Sequence, residues 1–292
     1  MITRTTFADT LRAVGIGAGE IVHVQSNLRR VGRVEGANDA AGFLKFYLQG
    51  LLDVIGPEGT ISVHVPFLDY GRYGTPFIVE ESPSEAGAFS EFIRKLPGTV
   101  RSCHPIASVA QIGPRAKEMC GGLHLDGVGY ESPWRRMLDA NVWIIALGLG
   151  VREGGTSFTH YIENAFGVPY LYNKIFTAPV FRDGSEIPGP FTLPVRYLDF
   201  GVTWNTTPFK ERMIEKGLAS LLPLGQGQIF ACRAQDMFEF GMTSMTEDRY
   251  CLLVKSPNFR PGEMPMDGVT GAFQRVYDKT GVGQDTIPQS GR

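Results

Sequence analysis

Two hydrophobic periods alternate along the first half of the chain. EIVHVQ (20–25) places apolar and polar side chains on alternate sides and is rich in β-branched residues, which predicts a strand. A polar loop, SNLRRVGRVEG, follows. NDAAGFLKFYLQGLLDVIG (38–56) then carries apolar residues at helical spacing, with Asn38 or Asp39 as N-cap and Gly56 as the stop. TISVHVPF (60–67) predicts the next strand, and the segment from there to Glu81 a long loop, of a length that is commonly functional or mobile. SPSEAGAFSEFIRKLPG (82–98) predicts a helix opened by a capping box, Ser82 with Glu85, with Pro83 in its first turn and an end near Leu96-Pro97-Gly98. IASVAQIG (106–113) predicts another strand. NVWIIALGLG (141–150) is apolar almost throughout, as a strand must be when both faces of its sheet are covered. Strands and helices in this order predict a three-layer α/β/α core around a central mixed sheet.

After residue 170 the pattern changes. KIFTAPVF and FTLPVRYLDF flank the turn RDGS (182–185), a hairpin-like excursion. TPFKERMIEKG predicts a helix capped by Thr207 with Pro208 at its start, and GQIFACRA with MTEDRYCLLVK completes the fold. From about residue 256 the chain is rich in Gly, Pro and polar residues, which predicts a tail that wraps the surface or frays. The change of pattern suggests a soft division into residues 1–170 and 171–292.

Composition narrows the class. The chain has 292 residues, 43% hydrophobic and 20% charged, with a formal net charge of −2, so no basic excess favours nucleic acid or an anionic membrane. No apolar stretch approaches the roughly 20 residues that span a bilayer, and the amino terminus reads as neither a signal nor a transit peptide. Cys103, Cys120, Cys232 and Cys251 fit neither a zinc pattern nor a disulfide framework, which points to a cytoplasmic protein with reduced thiols.

The candidate chemistry lies in three places. Arg29, Arg30 and Arg33 sit between a strand end and a helix start, either as a phosphate-binding loop or as a solvated basic turn; neither GxxxxGK nor GxGxxG occurs. GTVRSCHPIASVAQIG (98–113) concentrates Arg101, Ser102, Cys103, His104 and Ser108. Neighbours on an extended chain point to opposite sides, so Cys103 and His104 do not form a natural ion pair. Cys103 reads as a small packing residue, and Arg101, Ser102 and Ser108 as polar donors lining a pocket. His23 and His64 lie on two early strands without HxH, HxxxH or HExxH spacing, so the expectation is buried, hydrogen-bonded histidines and no metal. In TSFTHYIENAFG (156–167), His160 and Glu163 share one side of a helix. They are a proton-handling pair, half of a metal site, or two polar residues satisfied inside the fold. His160 follows the turn REGGTS after the apolar strand, where open α/β sheets gather ligands and an imidazole is placed to act as a base.

Taken together and in order, these blocks resemble the aminoglycoside 3-N-acetyltransferase (antibiotic N-acetyltransferase) family over most of residues 10–255. HVQSNLRRVG (23–32) is similar to its HxSLxxxG block with one extra residue between His and Ser. PSEAGAFSEFIRKLPGTVRSCHPIASVAQIGPRA (83–116) resembles its longest signature, and ESPWRRMLDANVWIIALGLG (131–150) and GGTSFTHYIE (154–163) the blocks that follow. The resemblance implies a three-layer α/β/α fold distinct from the GNAT acetyltransferases, with transfer of acetyl from acetyl-CoA directly to a primary amine. It implies His160 as general base, Glu163 as the carboxylate that orients it, and Asp199 as the nearest match to a further family carboxylate. For acetyl-CoA, Ser26, Leu28, Arg29 and Gly32 carry over, together with Arg101, Ser102, His104 and Ser108. Residues 1–170 would then hold the cofactor loops and the base, and residues 171–292 would complete the acceptor site. The expected partner is a small amine, an aminoglycoside or an amino sugar such as a sugar nucleotide, bound by a monomer or homodimer. The family's acidic acceptor segment is matched only loosely, with Glu80 and Glu81 of FIVEESPS (77–84) displaced from it. The rival readings are a catalytically silent CoA- or sugar-binding relative and a Cys103-dependent acyltransferase or hydrolase.

Overall fold

The structure, a computed structural model, describes residues 1–152, 156–197 and 200–259. The first half contains α1 (Arg4–Ala13), β1 (Ile21–Ser26), α2 (Ala40–Ile55), β2 (Thr60–His64), α3 (Leu68–Tyr73), β3 (Phe77–Ile78), α4 (Ala88–Arg94), β4 (Val100–Arg101), β5 (Val109–Ile112), α5 (Ala116–Cys120), α6 (Pro133–Asp139) and β6 (Trp143–Leu147). The second contains α7 (Phe158–Phe166), β7 (Leu171–Phe176), β8 (Val180–Arg182), β9 (Ser185–Glu186), β10 (Phe191–Arg196), α8 (Thr207–Glu215), β11 (Ala219–Leu224), β12 (Gly227–Arg233) and α9 (Ala234–Glu247).

A seven-stranded sheet runs in the order β11-β12-β6-β1-β2-β5-β4. Its centre, β6-β1-β2, is parallel, and β12 on one side and β5 on the other join antiparallel, so the sheet is mixed. Successive side chains of a strand face opposite ways. In β6, Trp143, Ile145 and Leu147 enter one core with α1, α2 and α4, while Ile144 and Ala146 enter the other with α5 to α9. This is why β6 is apolar at every position, and it makes the architecture three layers, α/β/α. The division near residue 170 falls between α7 and β7, and the chain returns to the same sheet at β11 and β12.

The helix α2 keeps its expected caps: Asp39 accepts the N–H of Gly42 at 2.6 Å, and Gly56 ends the helix at φ 67°. Other expectations shift. The stretch before Glu81 contains α3 and β3 rather than a continuous loop, and the helix expected from residue 82 begins at Ala88. The reason lies in where the capping groups go. Ser82 Oγ accepts the N–H of Ile78, and Glu85 reaches back to the start of α3, accepting from Leu68 N–H at 2.5 Å and Asp69 N–H at 3.2 Å. Glu85 thus satisfies orphan N–H groups of a helix absent from the sequence pattern. The turn at Asp183 and Gly184, with φ 51° and 72°, joins the short pair β8 and β9, as the left-handed residues of such a turn require. Outside it, β7 and β10 pair with each other antiparallel from Leu171–Arg196 to Phe176–Phe191. Thr207 is the first residue of α8 rather than its cap; its hydroxyl donates to Val151 O at 3.2 Å. No helix of the described residues is long and apolar enough to cross a membrane.

Candidate active site

The parallel strands β1, β2 and β6 end together, at Ser26, His64 and Leu147. Crevices outside the carboxyl ends of such strands are where α/β sheets bind ligands. Here the crevice is a cavity of about 480 Å3, walled by the end of β2, the start of α7, α3 and the β7–β10 ribbon. His64, Ser157 and His160 line it together with Trp134 and Trp204.

His160 stands on the first turn of α7 with its side chain 45% exposed, whereas Glu163, one turn on, is completely buried. Glu163 Oε2 accepts from His160 Nδ1 at 2.8 Å, and Oε1 accepts from Tyr170 OH at 2.8 Å and from Trp204 Nε1 at 2.7 Å. Three donors therefore converge on one carboxylate, which compensates its removal from water. Burial and the charge of Glu163 push the Tyr170 phenol far up, so it stays a donor. Because a carboxylate only accepts, Nδ1 is the protonated nitrogen of neutral His160 and Nε2 carries the free lone pair. The indole of Trp204 lies 4.8 Å from the imidazole and limits its rotation.

A second polar chain borders the first. His64 Nε2 lies 3.1 Å from the carbonyl of Ile106 and must donate to it, so Nδ1 accepts from Ser157 Oγ at 3.1 Å. Ser157 in turn accepts from Gln25 Nε2 at 2.5 Å. Burial pushes the His64 imidazole down to about 4, which keeps it neutral. His23, expected to be buried and satisfied, is buried and bonds Ser62 Oγ through Nδ1 at 2.9 Å, while its Nε2 has no partner among the described residues.

The remaining sequence-predicted residues fall into two groups. Leu28 is buried in a short 3-10 turn, and Arg29 and Gly32 line a separate surface cavity of about 900 Å3 with Arg33 and Gln226. Ser26 ends β1 beside Leu147 of β6. Arg101 is buried, with its guanidinium donating to the carbonyls of Val65, Val79 and Ser82 at 2.7, 3.2 and 2.5 Å and lying over Phe77. Ser102 and Ser108 are buried too, bonded to Val109 N–H and Val65 O respectively. His104 donates from Nε2 to Thr192 O at 3.0 Å and accepts Ala107 N–H at Nδ1, and burial holds it near 3. These four brace the wall between β2, β5 and β10 rather than present free polar atoms. Cys103 is buried, its thiol directed at His124 O at 3.5 Å and raised by burial, an environment opposite to that of a reactive thiolate. Asp199 lies outside the described residues. Among the described residues, no group of three or more His, Cys, Asp or Glu is arranged to hold a metal ion.

Tyr170 and Trp204, the other two donors to Glu163, were not distinguishable in the sequence from packing aromatics. Gln25 and Ser157 lie inside the blocks HVQSNLRRVG and GGTSFTHYIE, but the resemblance assigns neither a role.

The family model described as aminoglycoside 3-N-acetyltransferase matches residues 21–246. Aminoglycoside N(3)-acetyltransferase III of Pseudomonas aeruginosa is 23% identical over 261 residues, covering 82% of this chain and 92% of that one. Aminoglycoside N(3)-acetyltransferase IX of Micromonospora chalcea is 29% identical over 205 residues, 64% of this chain and 70% of that one. Among solved structures, that of aminoglycoside acetyltransferase AAC(3)-Xa superposes with TM-score 0.72 at 22% identity, covering 84% of this chain and 93% of that one. The binary complex of AAC-IIIb with CoASH superposes with TM-score 0.71 at 22% identity, covering 88% and 99%. With the family model spanning both the sheet and the His160–Glu163 helix, the chain belongs to the aminoglycoside 3-N-acetyltransferase family.

Proposed function

We propose that the protein transfers acetyl from acetyl-CoA to a primary amine of an amino sugar or related metabolite, with His160 as general base. The observation that carries this reading is the buried Glu163, held by Tyr170 and Trp204, which sets the tautomer of a half-exposed His160 in the wall of the cavity. The amine nitrogen attacks the thioester carbonyl as His160 Nε2 takes its proton. The tetrahedral intermediate collapses by breaking the carbon–sulfur bond, and the departing thiolate takes the proton from the imidazolium. The products are an N-acetyl amide and CoA. Glu163 positions the ring and stabilises the imidazolium, as carboxylates do in other His–carboxylate pairs.

For acetyl-CoA, the reading assigns the loop of Ser26, Leu28, Arg29 and Gly32, where exposed guanidinium groups and backbone N–H groups suit phosphates and a developing oxyanion. The resemblance adds Arg101, Ser102, His104 and Ser108 to the acetyl-CoA set; buried and hydrogen-bonded within the wall, they would support that site through the backbone they hold rather than by free polar atoms. The test is thiol release from acetyl-CoA across amino sugars, sugar nucleotides and aminoglycosides, with His160→Ala alongside. Release with one acceptor class, lowered by about 10²–10⁴ in the variant, is expected. Equal rates in the two proteins would sink the assignment of the base.

A further inference from the structure

We infer that Ser157 is a second group that grips the attacking nitrogen, accepting the N–H that His160 does not take, so that the site selects primary amines over their N-alkyl derivatives. This deepens the acetyltransferase reading above and rests on it for the identity of the nucleophile. The observation is a chain of hydrogen bonds whose proton order is fixed from its buried end. The carbonyl of Ile106 only accepts, so His64 Nε2, 3.1 Å away, carries the ring proton and Nδ1 a lone pair. Burial keeps that imidazole neutral. Ser157 Oγ, 3.1 Å from Nδ1, must therefore direct its proton at His64, and Gln25 Nε2, 2.5 Å from Oγ, must donate to it. A hydroxyl oxygen has two lone pairs, and Gln25 occupies only one of them. The other remains on a side chain that lines the cavity together with His160. Towards a ligand Ser157 is thus an acceptor, not a donor.

Local structure gives up something for this arrangement. Ser157 is the N-cap residue of α7, where a serine ordinarily accepts an N–H of its own helix, yet its side chain makes no capping bond. Gln25, which holds it, keeps Oε1 shielded from solvent without a partner among the described residues, at a cost to stability. Ser157 and His160 are one helical turn apart, with His160 N–H bonded to Ser157 O at 3.1 Å, and side chains at that spacing are neighbours. A neutral primary amine points its lone pair at the thioester carbonyl and has two N–H bonds. His160 Nε2 takes one proton as the carbon–nitrogen bond forms and the carbon–sulfur bond breaks, and the thiolate receives that proton afterwards. The other N–H is never broken and becomes the N–H of the product amide. Ser157 Oγ accepts it throughout, which fixes the rotation of the amine so that its lone pair meets the carbonyl. A secondary amine has a single N–H, which His160 needs. Its alkyl group is then turned against the Ser157 lone pair, which is left without a donor.

The experiment measures kcat/KM at saturating acetyl-CoA for glucosamine and N-methylglucosamine, and locates the acetyl group added to sisomicin, which carries primary amines and an N-methyl amine on one molecule. Glucosamine is expected to exceed its N-methyl derivative by about tenfold or more, and sisomicin to be acetylated on primary amines alone. Ser157→Ala should lower the glucosamine value about tenfold and the N-methylglucosamine value by less than about threefold, so that the preference collapses. Ser157→Thr, which keeps the hydroxyl, should retain the preference, with circular dichroism confirming the fold of both variants. N-methylglucosamine used as well as glucosamine, acetyl on the N-methyl nitrogen of sisomicin, or an equal loss for both glucosamines in Ser157→Ala overturns the inference. Turnover of neither glucosamine nor sisomicin counts against the acetyltransferase reading instead. Imidazole nitrogen NMR of the native protein, with His64 assigned through His64→Gln, then decides the proton order without any acceptor. A proton on Nε2 of His64 upholds Ser157 as an acceptor; a proton on Nδ1 frees the hydroxyl to donate and overturns it.

Discussion

Replacing Glu163 with Gln changes one atom of the side chain and tests the proposed machinery at its centre. The amide oxygen can take the place of Oε1 and keep both Tyr170 OH and Trp204 Nε1 as donors, now at 2.8 and 2.7 Å. The amide nitrogen then faces His160 Nδ1, where Oε2 sits at 2.8 Å in the native protein. An amide NH2 only donates, so Nδ1 must accept and the imidazole proton moves to Nε2. That is the nitrogen required to take the proton of the amine. A base held in the wrong tautomer loses about 10³–10⁴ in rate, or about 4–5 kcal/mol of transition-state stabilisation. The fold should barely notice, because both buried donors keep an acceptor. Glu163→Ala differs in this respect: it orphans Tyr170 OH and Trp204 N–H, at about 1–3 kcal/mol each, and should lower the melting temperature by several degrees. The assay is kcat/KM from thiol release, beside thermal melts followed by circular dichroism. Glu163→Gln retaining activity within about tenfold of the native protein, with a normal melt, would falsify the tautomer argument.

Three further outcomes are expected. Cys103→Ala should keep its rate within about twofold and lose about 1 kcal/mol of stability, as removal of a small buried group does; loss of activity with an intact fold would revive the thiol mechanism. Gly148, at φ 69°, lies where a Cβ would collide with the carbonyl of Asn27 and with Val31. Gly148→Ala should therefore displace the 26–33 loop and raise KM for acetyl-CoA more than KM for the amine, and the reverse pattern in steady-state kinetics would count against that loop as the cofactor site. Stability should also depend on pH through histidine. Four of the five histidines are held low by burial, His23 and His104 to about 3 and His64 and His124 to about 4. Unfolded, each titrates near 6.5, so as pH falls from there the unfolded chain binds protons that the native protein refuses. Stability is complete above about pH 7 and falls towards pH 4 by up to about 1.4 kcal/mol per unit for each histidine. Urea midpoints that stay level between pH 6.5 and 5 would contradict these burials.

Local pattern made part of this protein legible. Alternation in EIVHVQ, continuous apolarity in NVWIIALGLG and helical spacing in residues 38–56 report which side chains meet a core, and β1, β6 and α2 occupy those stretches. The three-residue spacing of His160 and Glu163 was equally visible, because residues that far apart share a helix face whatever surrounds them. Family blocks, read in order, supplied the chemistry that periodicity cannot.

The sequence alone therefore determined the layered α/β core, the helix of the His–Glu pair and the family. Tertiary packing decided what those residues meet. Glu163 finds its third donor in Trp204, 41 positions away, and Ser157 finds Gln25 across 132. Glu85 caps α3 rather than its own helix because buried or orphaned N–H groups take whichever acceptor packing brings close. The walls of the cavity come from α3, β7 and β10, whose positions depend on a ribbon pairing outside the main sheet. Periodicity says that a side chain is buried; only the folded chain says beside which charge, and the cost of an unpaired buried polar group makes that pairing specific.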